Sequence, residues 1–282
     1  MRWGLGDRIL ISQADNRTTI SDLKLKAKDQ LLGNYGIATG SFALLFALIY
    51  AVMTILTSAM TVTGASGKPM IDQNTIAGLV ETRVLSLVIA ALTAILTTGY
   101  AYLIRRIADG ERASVSDVFY VFKNHPDKVI IITVILTAVQ YIFLLPSTIV
   151  GYKGFVSEDA GNITGIDGRR FLLFAVLTLA GYILTIVFDL YFAMVYQIYL
   201  DDPDAGVIDI MKESFFLMKG NCFRYFYLIL SFIGYYMLML LSLGIASLWV
   251  IPYQTMTIVR FYYDLTGRED ATISEVYEEQ VI

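Results

Sequence analysis

The sequence predicts an all-α polytopic membrane protein, with six transmembrane helices as three hairpins, each preceded by a cytoplasmic interfacial amphipathic helix. Three observations lead there: apolar intervals long enough to cross a bilayer, basic residues gathered on alternate loops, and one helix-starting pattern that occurs four times. With 56% hydrophobic and only 16% charged residues, and a mean hydropathy of +0.63, the chain is more apolar than a soluble domain of 282 residues requires. The bilayer is therefore the expected solvent.

A helix crossing hydrocarbon about 30 Å thick needs about 20 mostly apolar residues. Tyr35 to Met60, Val84 to Ile104 and Val129 to Tyr152 each form one such interval between charged residues. Phe171 to Leu200 forms a fourth, broken only by Asp189. The last interval, Tyr225 to Val259, is too long for one crossing and is split at Gly244, with Pro252 beyond. With the N-terminus inside, only Lys68, Arg83, Lys153, Arg169 and Arg170 of the 21 basic residues fall outside, the bias expected for cytoplasmic loops. Both termini are then cytoplasmic, and the first span acts as an uncleaved signal anchor, since no short apolar region with a cleavage site precedes it. Tyr100, Tyr102, Tyr196, Tyr199, Tyr262 and Tyr263 sit at inner ends of spans and read as interfacial belt residues.

The repeated pattern is Thr19-Ile-Ser-Asp22, Ser114-Val-Ser-Asp117, Gly206-Val-Ile-Asp209 and Thr272-Ile-Ser-Glu275. Three of these are capping boxes, in which a hydroxyl accepts from a free backbone N–H and a carboxylate three residues on reaches back. Gly206 is a weaker cap. The carboxylate also faces the positive end of the helix dipole. Gly33 and Gly220 suit the left-handed end of the first and third helices, and the second ends near Asn124. Leu23, Ala27 and Leu31 share one face of the first helix, opposed by Asp22, Lys24, Lys26 and Lys28, a pattern suited to lying on a membrane. The units are then 19–113, 114–205 and 206–271, with 272–282 as a cytoplasmic tail, all within one membrane domain.

Ile210-Met-Lys-Glu-Ser214, Leu217-Met-Lys-Gly-Asn221, Leu230-Ser-Phe-Ile-Gly-Tyr235, Gly244-Ile245, Leu248-Trp249 and Pro252-Tyr253 to Phe261-Tyr262 resemble an uncharacterised family of bacterial integral membrane proteins, domain-of-unknown-function family 975. Gly33-Asn34-Tyr35 resembles that family's start. The resemblance implies a multi-span protein of the bacterial cytoplasmic (inner) membrane. It carries no catalytic residue and no assigned activity.

A net charge of −4 and a pI near 5.1 give no basic surface for nucleic acid. A single Cys222 and a single His125 exclude an intramolecular disulfide and a two-histidine metal site. Asp189 stands out, because an ionisable group about ten residues inside a span costs several kcal/mol unless paired or hydrated. It reads equally well as a cavity-lining carboxylate or as a paired structural acid. Arg260 is expected to snorkel to the headgroups in preference to pairing with Asp189. Gln140 and Gln197 read as interhelical hydrogen-bonders, and Pro146 and Pro252 as kinks. Cys222 reads as a plain small residue, and Lys219 and Arg224 are candidate lipid headgroup contacts. The expectation is a non-enzymatic module without a cofactor, whose partners are the lipid bilayer or another membrane protein. A transporter or channel component for a small solute or ion is the alternative.

Overall fold

The computed structural model describes residues 18–61, 76–152, 156–159, 162–166 and 168–268. Helices account for nearly all of them, with one short antiparallel hairpin, β1 (Val156–Asp159) against β2 (Asn162–Ile166), between two long helices.

Helix α1 (Ile20–Leu31) starts where the cap pattern places it: the Thr19 hydroxyl accepts from the Asp22 N–H at 3.2 Å and donates to the Asp22 carboxylate at 2.6 Å. After Leu32 the chain turns through Gly33 at φ +85°, which glycine reaches without a Cβ clash, and enters α2 (Tyr35–Thr61). Helix α3 (Ile76–Ala108) returns.

The second cap is a full capping box, with the Ser114 N–H donating to Asp117 at 2.7 Å, but it opens a 3-10 turn, Val115–Phe119, and only one helical turn, α4 (Tyr120–Lys123). Two constraints keep this segment short. Pro126 begins α5 (Pro126–Tyr152), and a residue before proline is driven out of helical geometry; His125 stands there at φ 51°. The 3-10 turn also presses on α3, where a Cβ on Gly99 would fall 1.8 Å from the Val118 carbonyl oxygen.

The fourth apolar interval forms α6 (Gly168–Tyr191) and α7 (Val195–Asp201), separated by a turn at 192–194 instead of running through. The Ser214 hydroxyl donates to the carbonyl of Tyr191, the last residue of α6, at 3.1 Å. Helix α8 (Val207–Met218) begins at Gly206 with no side-chain cap, and its C-terminus turns through Gly220 at φ +86°.

The last interval divides as the sequence reading expected, at Leu243 (φ 51°) and Gly244 (φ +90°). A second break at 231–232 then splits its first half into α9 (Cys222–Leu230) and α10 (Ile233–Leu241). The chain then runs into α11 (Ser247–Thr266), which carries Pro252.

Five segments among the described residues are long and apolar enough to cross a membrane: Tyr35–Ile55, Val80–Ala108, Pro126–Gly151, Gly168–Asp201 and Cys222–Leu241. Helix α11, the expected sixth crossing, is not one of them. It is the packing centre, with Val250, Met256, Val259, Phe261, Tyr262, Tyr263 and Leu265 buried, and it packs against α1, α2 and α3.

The amphipathic face of α1 also goes elsewhere than expected. Leu23, Ala27 and Leu31 are fully buried against the protein's own core. The charged side of α1 is engaged as well, with the Lys24 Nζ donating to the Ser231 carbonyl at 2.9 Å, in the break between α9 and α10, and lying 4.2 Å from the Phe232 ring centroid. Burial lowers the Lys24 pKa from its ordinary value. A helix whose apolar stripe meets another helix sheds more water-exposed carbon than one floating at an interface, and α11 supplies that partner. The fourth cap, at Thr272, lies outside the described residues.

Candidate functional site

Two features toward opposite ends of α11 stand out. The first is a groove of about 380 Å³ between the α1–α2 corner and the α10–α11 hairpin. Tyr235 and Leu238 lie three apart on α10, and Trp249, Val250 and Tyr253 fall on one face of α11 at positions i, i+1 and i+4. Val250 is buried and forms the floor, while Tyr235, Leu238 and Trp249 are exposed and open the groove sideways. The rings of Tyr235 and Tyr253 meet edge to face at 5.7 Å, and Phe232 packs behind both. Lys28 stands at the α1 end, exposed, and its ammonium makes no ion pair with any described residue. The groove therefore combines one cationic group with aromatic and aliphatic walls.

The second feature is a network of charges and tyrosines that ties α3, α7 and α11 together. Arg105, 5% exposed, makes an ion pair with Asp201 and donates to the Gln197 carbonyl at 2.8 Å. The hydroxyl of Tyr262 donates to the other oxygen of Asp201, and Arg268 approaches Asp201 at 3.4 Å. Tyr263 donates to Asp109 at 2.8 Å, and Arg268 bridges to Asp109 at 3.2 Å. The Arg105 guanidinium also lies 5.6 Å from the ring centroids of both Tyr262 and Tyr263. Next to this, Arg106 holds Asp117 of the second capping box at 2.9 Å, and Lys128 donates to the Pro203 carbonyl at 2.7 Å. A cavity of about 230 Å³ touches Arg105, Asp109, Asp201 and Arg268. Positive and negative groups balance there, so the network holds itself together and offers no excess charge to a ligand.

Several residues singled out in the sequence find partners of a different kind. Arg260 neither snorkels outward nor reaches Asp189: it donates to the Gln30 side chain and, at 3.1 Å, to the carbonyl of Ala108, the last residue of α3. Gln30 donates to the same carbonyl at 3.1 Å. Arg224 forms an ion pair with Asp264 at 2.6 Å and donates to the Thr18 carbonyl, both side chains being largely buried. The headgroup contact expected of it is thus replaced by an internal one, while Lys219 remains exposed at the end of α8. Gln197 is buried on α7. Asp189 and Gln140 meet each other: the Gln140 carboxamide donates to the Asp189 carboxylate at 2.7 Å, joining α5 to α6. Asp189 is on the outside of the bundle. Cys222 donates its thiol to the Met218 carbonyl at 3.2 Å.

The expected tyrosine belt is largely internal. Tyr100, Tyr199, Tyr262 and Tyr263 are buried, and a buried hydroxyl requires a partner. Tyr100 donates to the Ala38 carbonyl at 3.2 Å and Tyr199 to the Asn124 carbonyl. Tyr102 stacks on Tyr120 at 3.7 Å, and Tyr196 meets Thr133 at 3.0 Å. Sequence reasoning missed the Arg105–Asp201 network because each member lies at a span end, where isolated charges are ordinary. The signal was the occurrence of Arg105, Asp201 and Tyr262 near the C-terminal ends of three helices, α3, α7 and α11.

By length and composition, five apolar segments among the described residues place the chain among membrane-embedded helical proteins. A family model described as "Protein of unknown function (DUF975)" matches residues 18–269, and the chain belongs to that family. No curated protein and no solved structure matches it significantly.

Proposed function

We propose that this protein is a non-enzymatic module of the bacterial cytoplasmic membrane that holds one anionic lipid in the groove beside α11. In this reading α11 is a sixth crossing, the three units are successive helix-plus-hairpin repeats, and every capped segment, with both termini, lies on the cytoplasmic side. The groove carries the proposal. An ammonium at one end, followed by exposed aromatic and aliphatic walls, matches a phosphate headgroup followed by an acyl chain. The transport reading of Asp189 lacks comparable support, because Asp189 faces outward and lines neither of the two cavities described above.

The test is lipid binding by the purified protein in nanodiscs of phosphatidylcholine doped with phosphatidylglycerol. Lys28→Glu is expected to lower the preference for phosphatidylglycerol by at least about fivefold, since one basic group near a lipid surface contributes about 1 kcal/mol. Trp249→Ala is expected to weaken retention of both lipids. Equal occupancy by the two lipids in the native protein would remove the headgroup half of the proposal, and indifference to Trp249→Ala the acyl half.

A further inference from the structure

The Asp189–Gln140 pair joins α5 to α6 but leaves part of its hydrogen-bonding capacity unused. Gln140 is close to the midpoint of the 27-residue α5, so the pair lies deep in the apolar zone. Asp189 is exposed there, on the outer surface of α6, and the one hydrogen bond between the two side chains uses a single N–H and a single carboxylate oxygen. The second N–H of Gln140, its carbonyl oxygen and the other oxygen of Asp189 have no hydrogen-bond partner among the described residues. In hydrocarbon, each such group costs several kcal/mol if left bare.

We infer that the outer face of α5 and α6 is where two copies of this chain associate, with the Asp189–Gln140 pairs of the two copies completing one another across a two-fold axis. The groups left over are self-complementary: the free amide N–H of each copy meets the free carboxyl oxygen of the other, so each copy gives what the other lacks. A two-fold contact places the same residues on both sides, and this requirement is met without any second kind of chain. The surrounding surface fits. Leu172, Ala175, Leu179, Tyr182, Ile186 and Asp189 recur at alternating steps of three and four, all exposed, which forms a single seam along α6. Polar side chains pairing across helices in this way are an established means of holding membrane helices together.

The experiment is a dilution series in liposomes, with the two-copy fraction read by single-molecule photobleaching over falling protein-to-lipid ratio. The native chain is expected to form pairs. Asp189→Leu combined with Gln140→Leu is expected to weaken them at least tenfold, and Asp189→Asn, which still donates and accepts, to retain them. In a Cys222→Ser background, Ile186→Cys is expected to cross-link between copies on oxidation, whereas Ile55→Cys, exposed on α2, is not. A monomeric native chain, pairs indifferent to the double leucine variant, loss of pairing in Asp189→Asn, or cross-linking as efficient from residue 55 would each overturn the inference. Should the double variant not fold, the two cysteine variants decide it alone.

Discussion

The C-terminal half of α11 and the outer face of α6 treat charge in opposite ways. Around α11, Arg105, Arg224 and Arg260 are each held by acids, amides or carbonyls from helices distant in sequence, and the tyrosines between them are buried. Near the C-terminal end of α6, a carboxylate has one hydrogen-bonding neighbour and an open side. In one region the chain meets its charges with internal partners; in the other it leaves polar groups to be satisfied from outside. Position in the sequence does not reveal which is which, because a charge inside an apolar run looks more demanding than a charge at its end, and here the end charges are the buried ones.

That contrast can be broken or sharpened experimentally. The largest effect belongs to Arg105→Ala, which removes the buried guanidinium from Asp201 and leaves it the longer, more exposed contact to Arg268. A loss of about 3–5 kcal/mol is expected in denaturant unfolding of the micelle-solubilised protein, and Arg105→Lys should recover only part of it, since an ammonium cannot span Asp201 and the Gln197 carbonyl as a guanidinium does. Next is Leu23→Ala, with about 2–4 kcal/mol expected from the cavity under α1; a negligible change would mean that the α1 face does not pack on the bundle in solution. Gly33→Ala should cost about 1 kcal/mol by forcing a side chain into left-handed backbone, read from the same unfolding curves. Lys219→Ala, at an exposed position, should stay within about 0.5 kcal/mol of native stability, in contrast to Arg224→Ala five residues on.

Much of the architecture was legible because hydrocarbon imposes a length rule. Tyr35, Tyr152 and Gly244 mark boundaries that apolar interval and turn chemistry alone define, and Thr19 and Ser114 cap helices for the reason their spacing implies. What was not legible depends on contacts between elements. The apolar stripe of α1 has the same periodicity whether it meets lipid or α11. The breaks at 192–194 and 231–232 carry no proline or glycine signal; within the second, the Ser231 carbonyl is taken by Lys24, a residue more than 200 positions earlier. Of the candidate polar residues, Asp189 and Gln140 do meet, yet nothing in their spacing ties residue 140 to residue 189. Arg260 was judged by its distance from a span end, while the Gln30 and Ala108 groups that hold it come from the first and third helices of the chain.

The Thr18 N–H donates to Asp264 at 3.0 Å, and Gln30 is held by Arg260, so an early segment is anchored to one made more than 200 residues later. Ribosomes deliver these partners many seconds apart, and until α11 arrives the greasy side of α1 has nowhere of its own to rest. A chain interrupted before residue 247 would therefore expose Leu23, Ala27 and Leu31 to quality-control proteases, however well its earlier hairpins had inserted.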